Sequence, residues 1–203
     1  GDPMVRKDFA EVYEHAIRQG LLVTVFCDAV LITDRIVELF AKYPPRLVEV
    51  SLYGATAHTY ESITQIRGSY DRCIAGVERL HANGTRFLLK TVLMTANEHE
   101  LDDMRALADH YGVTFYFDSA LFPCLPHDDN AGGANTSASK SSVEVAGPSL
   151  SEPLTLRVEP HSAAKAHVDT AARADELARK YLSAQGAPAS DMLYQCGAAL
   201  TTF

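Results

Sequence analysis

Apolar positions along the chain keep switching between a helical period and short strand-like runs. In DFAEVYEHAIRQ (8 to 19), Phe9, Val12, Tyr13, Ala16 and Ile17 fall on one helical face, and Gly20 follows where a helix-ending glycine belongs. LLVTVFC (21 to 27) is short, apolar and β-branched, and predicts a strand. Thr33-Asp34 opens a second helix through RIVELFAKY, which Pro44-Pro45 ends. LVEVSLY (47 to 53) predicts the next strand. Helical segments follow near 56 to 64 and 70 to 82, broken at Arg-Gly-Ser and stopped by Asn83-Gly84. RFLLKTVLM (86 to 94) predicts a strand, EHELDDMRALADHY (98 to 111) a helix stopped by Gly112, and VTFYFDS (113 to 119) a last strand.

Strand and helix therefore alternate, at about 30 residues per unit, which is the pattern of βαβ crossovers and a parallel sheet. The fold class is α/β. In such sheets ligands bind at the carboxyl ends of the strands. Those ends carry Cys27-Asp28, Ser51-Tyr53-Gly54, Thr95-Asn97 and Asp118-Ser119, all small or polar, and they are the expected site. Glu98, Glu100, Asp102 and Asp103 read as carboxylates in the first turn of a helix, where they favour the positive end of the dipole.

Beyond Phe122 the character changes. Residues 127 to 153 are rich in Gly, Ser, Ala and Asn and nearly free of large apolar residues, which predicts a flexible loop or linker. After Pro160 the chain is Ala-rich and helix-favouring. The expected organisation is an α/β portion over 1–122, a linker over 123–159 and a further segment over 160–203.

Composition narrows the function. Of 203 residues 47% are hydrophobic, enough for one globular core, and the net charge of -8 with scattered Lys and Arg gives no footprint for nucleic acid. The longest apolar stretch, GLLVTVFCDAVLI, is shorter than the roughly 20 residues a bilayer needs and contains an Asp, so neither a membrane span nor a signal peptide is visible. A cytoplasmic protein is expected. Cys27, Cys73, Cys124 and Cys196 lie far apart with no Cys-x-x-Cys pair, which is neither a zinc pattern nor a disulfide framework. The eight histidines form no i, i+4 pair, and no Gly-x-Gly-x-x-Gly, Walker or Gly-x-Ser-x-Gly motif occurs.

Six stretches in order, GDPM, VTVFCDAVLIT, VEVSLYGATAHTYESI, GSYDRCIAGVERLHANG, KTVLMTANEHELDDM and CGAALTTF, resemble radical S-adenosylmethionine (radical SAM) enzymes of the SPASM type. The resemblance implies a partial (β/α)6 barrel lacking its first strands, followed by a linker and the start of a SPASM-like segment. It places the family's three-cysteine loop, which holds a 4Fe-4S cluster, upstream of Gly1. Gly1, Asp2 and Pro3 look like the tail of the family's Gly-Gly-Glu-Pro segment, with Asp2 in place of Glu facing the amino group of S-adenosylmethionine. Ser51, in SLYG, matches the family's Ser-Leu-Asp-Gly and is implied as a cofactor contact, with Tyr53 replacing the usual Asp. CDAVLI resembles Thr-Asn-Gly-x-Leu-Ile, so Asp28 would face the cofactor, while Ala29 in place of Gly would crowd a backbone needing a positive φ. An arginine usual about eleven residues after the serine is Ser62 here, so either Arg67 substitutes for it or the contact is absent. Cys196 resembles the first cysteine of the SPASM module and is implied as an auxiliary iron-sulfur ligand, thiolates being soft anionic ligands for iron.

The activity implied by the resemblance is reductive cleavage of S-adenosylmethionine to a 5'-deoxyadenosyl radical, which abstracts hydrogen from a substrate over the barrel rim. A peptide or protein substrate and an external electron donor are the implied partners. The 203-residue chain by itself is expected to be inactive. Two rivals use the same scaffold: a phosphate-binding α/β barrel enzyme, which would need a glycine nest or helix N-terminus at the rim, and a non-catalytic binding module without the cluster.

Overall fold

A computed structural model describes residues 2–121 and 153–168, together with Asp175 and Arg179; Gly1, Cys124 and Cys196 lie outside the described residues. These residues fall into two units, one ending at Val158 and one starting at Glu159.

The first unit is a four-stranded sheet in the order β1 (Thr24–Cys27), β2 (Leu47–Ser51), β3 (Phe87–Val92), β4 (Phe115–Asp118). Every pair is parallel, as the alternation predicts. Helices α1 (Phe9–Arg18), α2 (Asp34–Lys42), α3 (Ala57–Thr64), α4 (Ser69–Ala82) and α5 (Leu101–Tyr111) fill the expected positions. The strands are two to three residues shorter than their apolar runs: β2 is trimmed at its carboxyl end, where the run turns into a rim loop, β1 at its start, and β3 and β4 at both ends. A 3-10 turn at Glu98–Glu100 precedes α5, so the helix starts at Leu101 rather than at Glu98. Gln65 and Gly68, both at positive φ, break the chain between α3 and α4.

Strand alternation gives the sheet two different faces. Val25, Cys27, Val48, Val50, Phe87 and Leu89 are buried on one face; Phe40 of α2, Val77 and Leu80 of α4, and Met104 and Ala108 of α5 are buried as well, and this is the core. Phe26, Glu49, Ser51, Lys90 and Tyr116 share the other face by register, since Phe26 pairs with Glu49 and Ser51 with Lys90, which pairs with Tyr116. Phe26 and Tyr116 remain 54% and 52% exposed there.

Residues 155–158 return to the sheet's carboxyl end. Met94 and Arg157 form an antiparallel bridge, the Thr95 amide donates to the Leu156 carbonyl at 3.0 Å, and the Arg157 Nε donates to the Leu121 carbonyl at 2.8 Å. Most of the expected linker lies outside the described residues. In the second unit, α6 runs Pro160–His167. Among the described residues, no helix is long and apolar enough to cross a membrane.

Candidate functional site

A cavity of about 330 Å³ opens at the carboxyl ends of β1 and β2, lined by Asp2, Phe26, Cys27, Asp28, Ser51 and Tyr53. Three of the residues expected to bind a cofactor, Asp2, Asp28 and Ser51, are thus brought together. Pro3 sits beside them as the first residue of a 3-10 turn, Pro3–Val5, that Asp2 caps by accepting from the Met4 amide at 2.7 Å. Pro suits that position because its fixed φ and missing N–H cost nothing there.

Asp2 also reaches β1: the Asp28 amide donates to its Oδ2 at 3.4 Å. The Asp28 carboxylate accepts from the Val30 amide at 3.0 Å, closing the loop that leaves β1. Burial raises the Asp2 carboxyl above its ordinary value and the neighbouring Asp28 charge adds to this, outweighing the amides of Met4 and Asp28. Two carboxylates therefore face one cavity whose lining contains no Lys, Arg or His. That is an electrostatic deficit a cationic ligand removes.

The β1 exit loop is under local strain. Ala29 is fully buried with φ +61°, a conformation that favours glycine, which is the crowding expected from an alanine at this position. It is held from behind by α4, where Gly76 packs against it: a Cβ on Gly76 would stand 2.0 Å from the Ala29 carbonyl oxygen.

The β2 exit loop is held by two buried polar side chains whose destinations the sequence does not give. Asn97 has no exposed surface; its Oδ1 accepts from the Met94 amide at 2.8 Å and its Nδ2 donates to the carbonyls of Tyr53 and Val92, both at 3.1 Å. Glu100, read from sequence as a helix-start charge, is instead buried. It accepts from the Ala55 and Thr56 amides at 2.7 and 3.1 Å and from the Thr56 and Thr59 hydroxyls, both at 2.6 Å. Burial alone would raise its carboxyl, but these four donors outweigh burial and hold it below the ordinary range. Glu100 is thus a cap for α3 supplied by the start of α5. Gly54 belongs to the same joint, since a Cβ there would meet the Tyr60 amide at 2.8 Å.

Tyr53, at the position where the resembling family carries Asp, lines the cavity and meets the Tyr60 ring edge-on at 5.7 Å. Burial raises its hydroxyl, and the Ser51 side chain beside it partly offsets this. Ser62 does not enter the site: its hydroxyl donates to the Thr59 carbonyl at 2.8 Å within α3. Arg67 does not line the cavity either.

The chemistry of this donor set differs between the two implied cofactors. Two carboxylates, a hydroxyl and two aromatic walls fit a sulfonium compound with an amino group. They do not fit an iron-sulfur cluster. Cys27 and Cys73, the cysteines among the described residues, are buried, and burial pushes both thiols up to about 12. No group of three His, Cys, Asp or Glu side chains among the described residues could hold a metal ion.

A parallel α/β sheet with its ligand cavity at the strand carboxyl ends is the class that fold and site define. Within that class, the model of the radical SAM superfamily matches residues 1–108, more than half of the chain, and the chain belongs to that superfamily. It is 28% identical over 130 residues to an AdoMet-dependent heme synthase of Methanosarcina barkeri, covering 64% of this chain and 37% of that protein. It is 33% identical over 115 residues to the mycofactocin maturase MftC of Mycobacterium ulcerans, covering 56% and 31%. The crystal structure of SuiB from Streptococcus suis superposes with a TM-score of 0.52 at 16% identity, covering 60% of this chain and 28% of SuiB, and shares the fold. The chain thus spans about a third of the length of these curated relatives, and its sheet is part of a radical SAM barrel.

Proposed function

We propose that this chain is the cofactor-binding portion of a radical SAM enzyme with a SPASM-like module, acting on a peptide or protein. The observation that carries the reading is the Asp2–Asp28 carboxylate pair facing a cavity that has Ser51 beside it and no basic residue in its lining. In the whole enzyme, one electron from a reduced 4Fe-4S cluster, for which this sequence contains no Cys-x3-Cys-x2-Cys ligand loop, would cleave S-adenosylmethionine to methionine and a 5'-deoxyadenosyl radical able to abstract hydrogen from the substrate. Asp2 and Asp28 would hold its amino and sulfonium charges, Ser51 would donate or accept at its sugar, and Phe26 and Tyr53 would exclude water from the sides.

The peptide assignment draws on the mycofactocin maturase relative and on SuiB, which has been crystallised with the precursor peptide SuiA, rather than on the heme synthase relative, whose name points to a different substrate. The SPASM assignment and the ligand role of Cys196 rest on the closing stretch CGAALTTF, which lies outside the described residues. No Cys-x3-Cys-x2-Cys occurs in the sequence, so we expect the 203-residue protein to bind S-adenosylmethionine without cleaving it. A second reading, a non-catalytic binding module, draws on the same lack of a cluster ligand set among the described residues.

Calorimetric titration of the 203-residue protein with S-adenosylmethionine tests the proposal. Saturable binding that weakens about tenfold in Asp2→Asn and in Asp28→Asn, the loss of one charge-assisted contact, is expected. No binding, or binding that both variants leave unchanged, removes the cofactor assignment.

A further inference from the structure

On the open face of the sheet, Lys90 of β3 pairs with Glu49 of β2, Nζ to Oε2 at 2.9 Å, and the same ammonium stands 4.0 Å from the centroid of the Phe26 ring on β1. Phe26 is also a wall of the cofactor cavity, and Ser51, another wall, is the register partner of Lys90. The ammonium therefore lies one residue row from the cavity. Its side chain is 24% exposed and that of Glu49 23%, so neither is sealed from what lies above the sheet.

The placement is unusual in physical terms. An ion pair at mid-strand is a poor source of stability, since partial desolvation offsets most of the attraction. A sheet face needing only cover would carry apolar residues, as the opposite face does. An ammonium has three N–H donors and no acceptor. Glu49 takes one donor, the Phe26 ring fixes the side of approach, and the remaining donors are left for a ligand. Asp2, Asp28 and Glu49 make the surroundings acidic, so a bare anion would be repelled unless it reached Lys90 directly.

We propose that Lys90, oriented by Glu49 and Phe26, is a substrate-anchoring residue that takes a carboxylate of the substrate and so positions it beside the cofactor cavity. This deepens the reading of a peptide lying over the rim and rests on it. Two sources share that chemistry, an acidic side chain and a peptide's free carboxyl terminus.

The test uses the 203-residue protein with its lysine ε-carbons labelled for NMR, the Lys90 signal being assigned by its loss in Lys90→Arg. Three probes are titrated: N-acetylglutamic acid α-amide, which has only the side-chain carboxylate, N-acetylglutamine, which has only the terminal one, and N-acetylglutamine amide, which has neither. A saturable shift of the Lys90 signal with either acid and none with the amide is expected, and the acid that acts identifies the source. Equal responses to all three, or to none, overturn the proposal. Lys90→Met, checked for native circular dichroism, should lose acid binding as seen at neighbouring amides, weakening it at least about tenfold; retained binding in that variant overturns the proposal. Titration with S-adenosylmethionine on the same samples reads the cofactor assignment separately, because Lys90→Met should leave it unchanged.

Discussion

Gly76→Ala adds a single methyl group where α4 packs directly against the backbone of the β1 exit loop. The new Cβ would lie 2.0 Å from the Ala29 carbonyl oxygen, 3.0 Å from its carbonyl carbon and 3.1 Å from its Cβ. A carbon and an oxygen need more than about 3 Å, so helix and loop must separate by roughly an ångström, and the oxygen belongs to backbone that no rotamer change can move aside. Overpacking of a tight core costs about 1–3 kcal/mol, and backbone against backbone belongs at the upper end. The better helix propensity of alanine returns about 1 kcal/mol, leaving a net loss of about 2 kcal/mol. Urea denaturation measures it as a lower midpoint at unchanged slope. The same displacement moves Asp28, which adjoins Ala29, so affinity for S-adenosylmethionine should fall with stability. A repair is built into the geometry: Ala29→Gly removes the penalty of φ +61° and lets the loop shift cheaply. The loss caused by Gly76→Ala should therefore be smaller in the Ala29→Gly background than in the unaltered protein. A neutral or stabilising Gly76→Ala, or an equal loss in both backgrounds, would refute the account of this contact.

Other expectations concern the buried polar groups. Glu100→Gln should destabilise the protein by about 2–3 kcal/mol near neutral pH, because an amide places an NH2 against four donors that need acceptors. Since the Glu100 carboxyl is held below its ordinary range, its contribution is complete above the unfolded value and is lost as pH falls through the folded one; Glu100→Gln should flatten that acid limb in denaturation curves taken across the carboxylate range. Asp2 has the opposite sign. Its raised carboxyl takes up a proton at a higher pH than an ordinary aspartate, so affinity for a cationic ligand should begin to fall earlier on acidification, with proton release on binding seen calorimetrically in paired buffers; Asp2→Asn should lack both effects. Asn97→Ala leaves the Met94 amide without its acceptor and the Tyr53 carbonyl without its donor, and should cost about 2–3 kcal/mol while weakening S-adenosylmethionine binding through the shifted β2 exit loop, read by denaturation and calorimetry.

The elements are legible in the sequence because each obeys a local rule. Gly20 and Gly112, at positive φ, stop α1 and α5 where the sequence places the stops, and the strands sit inside the four apolar runs. The rim is legible for a topological reason, parallel strands all delivering their ends to one side. The two sheet faces are not legible. LVEVS and FLLKTV read as buried strands with one charge each, and only the register shows that Glu49 and Lys90 lie on the same face and meet. A lone charge at mid-strand is the signal the sequence offers. The role of Glu100 is hidden because its nearest helix in sequence is α5, while the donors it satisfies open α3, more than forty residues earlier.

Such long-range partners decide how the site is held. Ser51 sits at the end of a strand paired on both sides, so the ladder fixes its backbone. Asp28 and Tyr53 lie beyond the last strand residues, where no ladder reaches, and each is stabilised by something from another element. Gly76 of α4 confines Ala29 and thereby Asp28; Asn97 and Glu100, from the β3–α5 connection, confine the carbonyl of Tyr53 and the amides that follow it. Buried polar groups satisfied this fully are stiff, because any movement leaves an unpaired donor or acceptor away from water. The loops of the cavity are therefore positioned by residues behind and beside the sheet, while its open face carries the Glu49–Lys90 pair beside Ser51 and the aromatic rings. A ligand at the rim meets prearranged carboxylates rather than having to order them, and the substitutions that loosen it most should include residues that never touch it.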